Sequence, residues 1–583
     1  MKISNILFGF IIITSILNAS TTSIEKSVFE TKKEITKEKT FLKNSKESLI
    51  TILKSNNSPS KLSKGFTKKY YKKHKYIPFW TNKNGIKEMA YVLINTIKED
   101  AVLQPFSKNI FDLDVIEEQI KINQNEININ ELMKFDIMLT STYHQYMRYL
   151  SKGFINWEEF QKELIQFHEK NEIIANWKKY DVRKNIRNLL YKAVKKDDIT
   201  IAINEVNYTF PKANELSTIV NKYEKISNNG GFIKIPKIKK SLKKGNYYPE
   251  IKTIRQRLIQ SNELEDNECL DESTKDCFEL YDEELFLAVK SFQKSHGLIE
   301  DGIIGNNTIR NLNIPIEEKI RKIRVNLERM RWMPRTLGEK YLLVNIPDYT
   351  LKMYNKGEVK LDMAVVVGEY KNPTPIFSHK MSSIVLNPYW RIPQSIVKKE
   401  IIPKLLEEPN YLEDKEIKVF ENWDHESMQY DTSNMDWSMY LDNDLIGTSK
   451  EAPMRFIQIP SNTNPLGRIK FMFPNRYSVY LHDTPLKELF KNNKRAYSHG
   501  CIRLSEPQEL LKTIAQEDEG INYEEAEEIL SNIEKTDFDL VKKIPVHIVY
   551  LTTWIDENGK IQFRDDIYDY DKIQENILYN QSL

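Results

Sequence analysis

Cysteine is scarce, with three in 583 residues, so a dense disulfide scaffold is excluded. Glycine is also sparse, at 18 residues, which removes collagen-like and Gly-rich repeat architectures. Charge of one sign is missing as well. Eighty-six Lys+Arg stand against 83 Asp+Glu, a net of +3, so no global field steers the chain toward a polyanion and nucleic acid is not an expected partner. Beyond the N-terminus no stretch is long and apolar enough to span a bilayer. What the chain has is 40% hydrophobic and 11% aromatic residues, enough for several cores. At roughly 150 residues per domain, a folded chain of this size is expected to hold about four domains.

The N-terminus points to export. Met1-Lys2 precedes an apolar run from Ile6 to Leu17 and then Asn18-Ala19-Ser20, the order of a secretory signal peptide over residues 1–20. The alternative is an uncleaved inner-membrane anchor, because Leu17 fits poorly into a small-x-small cleavage site. Cys269 and Cys277 lie close enough in an acidic stretch to pair in an oxidising compartment, which leaves Cys501 alone.

Patterning divides the rest. Residues 21–64 are rich in Lys, Glu, Ser and Thr and read as a solvated helix or tether. Residues 65–240 are helical, as in the Leu132, Phe135, Met138, Leu139, Tyr143 periodicity. Residues 245–313 hold two short helices and tight glycine turns, which suits a small three-helix module, and 314–340 read as a helical connector. From Tyr341 the period changes to that of strands. Tyr341–Ile346, Leu351–Tyr354 and Val359–Val367 lead, with a hairpin at Asn355-Lys356-Gly357. Further strands are expected at Ile384–Leu386, Arg455–Ile459, Lys470–Phe473, Val479–His482, Val546–Thr552 and Lys560–Phe563. The last two are expected to join across a type I′ turn at Asn558-Gly559. A charged, helical or irregular insertion covers about 396–451, and 571–583 read as a C-terminal tail. The fold class is α+β and multidomain.

The chemistry concentrates in Tyr480-Leu481-His482-Asp483-Thr484-Pro485 and Ser498-His499-Gly500-Cys501-Ile502-Arg503. A thiol attacks an acyl carbon as thiolate, and an imidazole within reach takes its proton. His482 closes a predicted strand, so a turn can return the chain to Cys501. Gly500 lets the backbone approach a substrate closely, which suggests an oxyanion hole from N–H groups near Gly500 and Cys501. Arg503 offers a planar fork for a carboxylate. On the residues alone, a nucleophile, a packed structural cysteine and a Cys/His metal site all remain open. The metal is disfavoured because no CxxC or HExxH spacing occurs.

The run from His482 through Ser498-His499-Gly500-Cys501-x-Arg503 resembles the signature of the YkuD-type L,D-transpeptidases. The likeness extends to their large YcbB-like subgroup through Arg329-Met330-Arg331-Trp332, Val367-Gly368, Thr374-Pro375, Asn387-Pro388, Trp390, Lys470-Phe471 and Phe473-Pro474-Asn475. Tyr76-Ile77-Pro78-Phe79-Trp80 resembles the subgroup's helical scaffold. Phe292-Gln293, Gly297-Leu298, Asp301-Gly302, Gly305 and Thr308 resemble a peptidoglycan-binding module. The resemblance implies a scaffold domain, that module, and a β-rich catalytic domain over 341–570 with an inserted mobile lid. It implies Cys501 as nucleophile and His482 as its base, with Ser498, His499 and Gly500 supporting the loop. It implies Arg503, Tyr480 and Trp390 as substrate-binding residues. It implies no metal and no cofactor, a periplasmic location, and peptidoglycan tetrapeptide stems as donor and acceptor. The expected product is a 3–3 crosslink; hydrolysis to a tripeptide and a silent wall-binding scaffold are the alternatives. A carbapenem adduct on the thiol and contacts with other wall-synthesis proteins belong to the same expectation.

Overall fold

The computed structural model describes residues 31–55, 64–125, 128–171, 176–182, 184–208, 210–265, 277–440 and 454–580. The expected signal segment and the Cys269–Cys277 pairing fall outside them. Two compact units emerge. One holds the chain up to Phe154 together with Asp181–Tyr208, and the other holds Ile155–Tyr180 and everything from Thr209 onward. The helical stretch expected over 65–240 is therefore shared between the two.

In the first unit the segment expected as a solvated helix or tether is a helix, and it is not solvated on every face. Residues 31–54 form a helix that buries Phe41, Ser45, Ser48 and Leu49, and Ser48 donates to Asn130 Oδ1 at 2.6 Å. Two of those four buried positions are serine, so hydropathy does not reveal the stripe. The unit's central helix is Ile129–Lys152, started by Asn128, whose side chain accepts from the Asn130 and Glu131 amides. Its buried Asp136 accepts from Tyr71 Oη (2.5 Å), the Phe79 and Trp80 amides, and Thr81 Oγ1 (2.9 Å). A buried carboxylate persists only when its lone pairs are filled, which explains why the Phe79-Trp80 turn must sit on this helix. Strands β1 (Thr81–Asn82) and β2 (Gly85–Ile86) make a small hairpin after it.

In the second unit a three-helix module (Glu250–Gln260, Glu283–Ser295, Asn306–Leu312) closes over Ile251, Ile254, Leu258, Leu285, Val289 and Phe292. Gln293 Oε1 accepts from the Gly302 amide at 2.8 Å and its Nε2 donates to Asp301 at 3.0 Å, so the Gln and the Asp-Gly turn noted in the sequence fasten each other. Helix Ile316–Arg331 follows and is mostly buried. Arg329 pairs with Asp571 at 2.6 Å and donates from Nε to Gln574 at 2.8 Å. These partners sit on helix Tyr570–Asn580, so the expected tail is instead a packed helix, held by an apolar stripe of Tyr570, Ile573, Ile577 and Leu578 together with buried polar pairs.

The remaining strands are β3 (Lys340–Asn345), β4 (Thr350–Asn355), β5 (Glu358–Gly368), β6 (Phe377–Leu386), β7 (Trp390–Arg391), β8 (Ile417–Phe420), β9 (Arg455–Gln458), β10 (Ile469–Met472), β11 (Leu481–His482), β12 (Ala496–Ser498), β13 (Ile502–Leu504), β14 (Thr536–Val549), β15 (Thr553–Ile555) and β16 (Ile561–Phe563). Nine form one sheet in the order β12-β5-β13-β11-β10-β6-β14-β3-β4, and β4 also pairs with β5. The sheet thus closes on itself. Strand β5 makes this work by its length: residues 358–364 face β4, while Val365–Gly368 face β13 and β12. Closure leaves few free edges and holds the short strands β11 and β13 in a fixed register.

Two sequence expectations change here. The Asn558-Gly559 hairpin joins β15 to β16, and the longer strand ends earlier, at Val549. Among the described residues only Gly559 has positive φ at this turn (+78°), with its amide on the Asp556 carbonyl at 3.1 Å, so the turn is not type I′, which needs two such residues. Strands β12 and β13, which flank the cysteine, were not expected. Each is three residues long and therefore too short to show a period.

Candidate active site

Three neighbouring strands build the site. Lys470 on β10 lies opposite His482 on β11, and His482 lies opposite Arg503 on β13, while Leu481 lies opposite Ile502. The Ile502 amide reaches the Tyr480 carbonyl at 3.2 Å, which extends the parallel ladder back by one step. Alternation along a strand then puts Lys470, Tyr480, His482, Cys501 and Arg503 on one face. Contacts agree. The Tyr480 amide and hydroxyl are near enough to the Cys501 sulfur to favour its thiolate. The Tyr480 and His482 rings meet edge-on at 5.6 Å.

The loop before the cysteine is held from several sides. Ser498 Oγ donates to the Cys501 carbonyl at 2.5 Å and accepts from the Gly500 amide at 3.1 Å. This occupies the Gly500 N–H; of the two amides expected at an oxyanion hole, that of Cys501 has no partner among the described residues. Thr374 Oγ1 donates to the Gly500 carbonyl at 3.0 Å and accepts from the Gly368 amide at 2.8 Å. A Cβ on Gly368 would lie 2.2 Å from the Asn372 carbonyl, so only glycine lets that turn fold beneath the loop. Thr374 and Gly368 were read from the sequence as marks of resemblance and not as site residues; the signal was present in Val367-Gly368 and Thr374-Pro375.

Gly500 itself has φ +107°, where a side chain is strained although the nearest carbonyls would be at an ordinary 3.7–3.8 Å. A Gly500→Ala variant is therefore expected to lose about 1–3 kcal/mol of stability. Its activity is expected to fall by much more than folding does, because the loop relaxes by moving the sulfur. Thermal melts beside turnover rates check this.

The electrostatics favour a neutral resting pair. Burial, then the Arg503 guanidinium, push the His482 imidazole down to about 3, against the Asp483 and Leu466 carbonyls that favour its protonation. His482 Nδ1 sits 2.5 Å from the Asp483 carbonyl oxygen, which fixes the proton on Nδ1 and leaves Nε2 as the basic atom. Burial also raises the Cys501 thiol, opposed by the Tyr480 amide, Lys470, the Tyr480 hydroxyl and Arg503, in that order. No hydrogen bond joins His482 to Cys501 among the described residues; the Cys501 thiol donates to the Ser478 carbonyl at 3.9 Å.

Arg503 is half-buried and has no ion pair among the described residues, and its buried Nε has no hydrogen-bond partner. A fork left open in this way is suited to an incoming carboxylate. His499 turns the other way and meets Glu400 at 2.9 Å. Glu400 belongs to the Val397–Ile401 π-helical turn of the insertion, so this contact ties the insertion to the cysteine loop. The insertion has its own core of Ile392, Val397, Ile401, Leu405, Ile417, Trp437 and Phe456 and its own sheet, β7-β9-β8. Trp390 packs against that core. Among the described residues no group of three or more His, Cys, Asp or Glu is placed to hold a metal ion.

The fold and site define an α+β chain in which a thiol, an imidazole and an open guanidinium line one face of a closed sheet beneath a separately cored insertion. Comparison with known families gives this class its name. Residues 339–548 match the model described as "L,D-transpeptidase catalytic domain" (YkuD), 66–217 match the "Scaffold domain", and 248–312 match the "Putative peptidoglycan binding domain". The chain therefore carries a scaffold domain, a peptidoglycan-binding domain and a YkuD L,D-transpeptidase catalytic domain, in that order. A curated relative from Haemophilus influenzae, described as "Putative L,D-transpeptidase", is 32% identical over 251 residues. That match covers 43% of this chain and 48% of the relative, so the chain spans about half the relative's length. Among solved structures, the L,D-transpeptidase of Stackebrandtia nassauensis is 12% identical, with 53% of this chain and 94% of that one covered and a TM-score of 0.19. The L,D-transpeptidase of Xylanimonas cellulosilytica is 14% identical, with 54% and 100% covered and a TM-score of 0.16.

Proposed function

We propose that this chain is an exported L,D-transpeptidase that forms 3–3 crosslinks in peptidoglycan through a thioester on Cys501. The observation that carries the reading is the open Arg503 fork on the same sheet face as the Cys501 sulfur and the His482 ring. The donor is a tetrapeptide stem, and the carbonyl attacked lies between its third residue, a diamino acid, and the terminal D-Ala. His482 Nε2 takes the thiol proton as sulfur adds to that carbonyl. The Cys501 amide and the Tyr480 hydroxyl face the negative oxygen that develops. The tetrahedral intermediate collapses with cleavage of the C–N bond, and the D-Ala nitrogen leaves with the proton held by His482. The thioester remains. An amine from a second stem then attacks the same carbon, passes its proton through His482, and restores the thiol. Arg503 holds a substrate carboxylate during these steps.

Water competes with the amine for the thioester, and a covering insertion anchored by Glu400 and His499 excludes it. The peptidoglycan-binding module raises the local concentration of strands. The periplasm supplies both substrate and location for an exported chain. Among the described residues no helix is long and apolar enough to cross a membrane.

The test is incubation of the purified chain with disaccharide-tetrapeptide and mass analysis of the products. A crosslinked dimer with release of D-Ala is expected. Tripeptide without dimer would make water the acceptor, and absence of both from folded protein would overturn the enzymatic reading.

A further inference from the structure

Lys470 has no part in the reaction outlined above, yet its side chain ends in the site. Its Nζ lies 3.8 Å from the centroid of the Tyr480 ring, which shares a sheet face with Cys501 and whose hydroxyl favours the thiolate. It is half-buried and forms no ion pair or hydrogen bond among the described residues. A half-buried ammonium without a carboxylate is costly unless it serves a negative charge that appears only at times. The nearest carboxylate along its row of the sheet is Asp537, reached through Val385, and that group is paired with Lys535.

We propose that Lys470 is the positioning charge of the nucleophile: its ammonium, seated on the face of Tyr480, holds the Cys501 sulfur toward the thiolate through the tyrosine hydroxyl. The inference rests on Cys501 being the nucleophile and adds a residue to that machinery. A cation over an aromatic face draws electron density from the ring and makes the phenolic O–H a stronger donor. Because Lys470 sits behind the ring, it keeps its charge near the sulfur without occupying the space where an acyl group must enter. Arg503, the other cation, is on the far side of His482's row and is left to the substrate.

The groups facing Lys470 are consistent with this. From β11 comes His482, from β13 and the residue before it come Arg503 and Cys501, from β7 comes Arg391, and from β14 and the residues before it come Asp537 and Lys535. Burial, with Arg391 and Lys535 assisting, lowers the lysine to about 8, while the Cys501 thiolate and Asp537 act in the opposite direction. Sulfur and lysine therefore support each other's charge.

The experiment reads the thiol directly and needs no turnover. Alkylation of Cys501 by iodoacetamide is followed by peptide mass across pH 6–10 in the full chain, in Lys470→Met and in Lys470→Arg. Below about pH 8, where the ammonium carries its charge, its removal is expected to slow alkylation roughly tenfold, the equivalent of about one unit in the thiol's ionisation. Lys470→Arg is expected to restore most of the difference. Superimposable wild-type and Lys470→Met profiles would overturn the proposal, and so would an Arg variant that shifts as far as Met. Should Lys470→Met fail to fold, Lys470→Gln keeps polarity at the position while removing the charge, and the same two outcomes apply to it. A shifted profile in a chain that makes no crosslink would sink the transpeptidase reading and leave this one standing.

Discussion

Cys501→Ala is expected to yield neither crosslinked dimer nor tripeptide, a loss of at least about 10³-fold, from a protein that melts close to wild type. The side chain is small, its exposure is intermediate, and its hydrogen bond to the Ser478 carbonyl is long at 3.9 Å, so the fold loses little when the sulfur goes. The chemistry loses its only bond-forming atom. Cys501→Ser sharpens the result. A hydroxyl in the same place is far less acidic than a thiol, and a base buried and held down to about 3 is too weak to ionise it. Serine is therefore expected to be nearly as inactive as alanine. A mass shift on incubation with an acylating substrate, seen in wild type and absent from both variants, checks the point. Persistence of activity in Cys501→Ala would overturn the assignment of the nucleophile.

His482→Ala is expected to cost about 10²–10⁴-fold and to change how rate depends on pH. In the wild type the imidazole is already neutral well below its usual range and the thiol is raised, so each is in its working form across acidic and neutral pH. kcat/KM is expected to be flat between about pH 5 and 7, with no fall near the ordinary histidine value of about 6.5. Without the base, only the small pre-ionised fraction of thiol reacts. The variant's rate is then expected to climb roughly tenfold per pH unit through the same range, since each unit raises that fraction tenfold. A wild-type profile that drops on acidification through pH 6.5 would show that the imidazole titrates in the open.

How much of this was readable beforehand differs from place to place, for physical reasons. The hairpin at Asn355-Lys356-Gly357 and the long strand β5 were legible because alternation and a turn tripeptide lie within a dozen residues. The proximity of His482 and Cys501 was foreseeable in outline, yet the parallel pairing of two- and three-residue strands that aligns them was not, since it depends on a closed sheet assembled from distant segments. The burial of the N-terminal helix was hidden because Ser45 and Ser48 are among its buried residues and hydropathy records them as solvated, whereas the C-terminal helix carries a readable stripe in Ile573, Ile577 and Leu578 that was passed over. The role of Ser498 in shaping the loop was expected, but its occupation of the Gly500 amide was not, because hydrogen-bond exclusivity has no sequence pattern. Lys470 was only half of a dipeptide match. Its meaning appears once β10 lies beside β11.

The seam between the three-helix module and the catalytic sheet has a mechanical consequence. Arg564 donates to the Ser295 carbonyl at 3.1 Å, Asn493 to the Gly297 carbonyl at 3.0 Å, and His296 stacks on Phe563 at 5.2 Å. The module is therefore clamped and does not swing on a leash, so its benefit cannot be tuned by linker length. A clamped grip acts as a ruler. On the function proposed above, strands held by the module would arrive at the thiol with one offset and one heading, and the spacing of successive bonds along a wall would be stamped by the geometry of a single protein body.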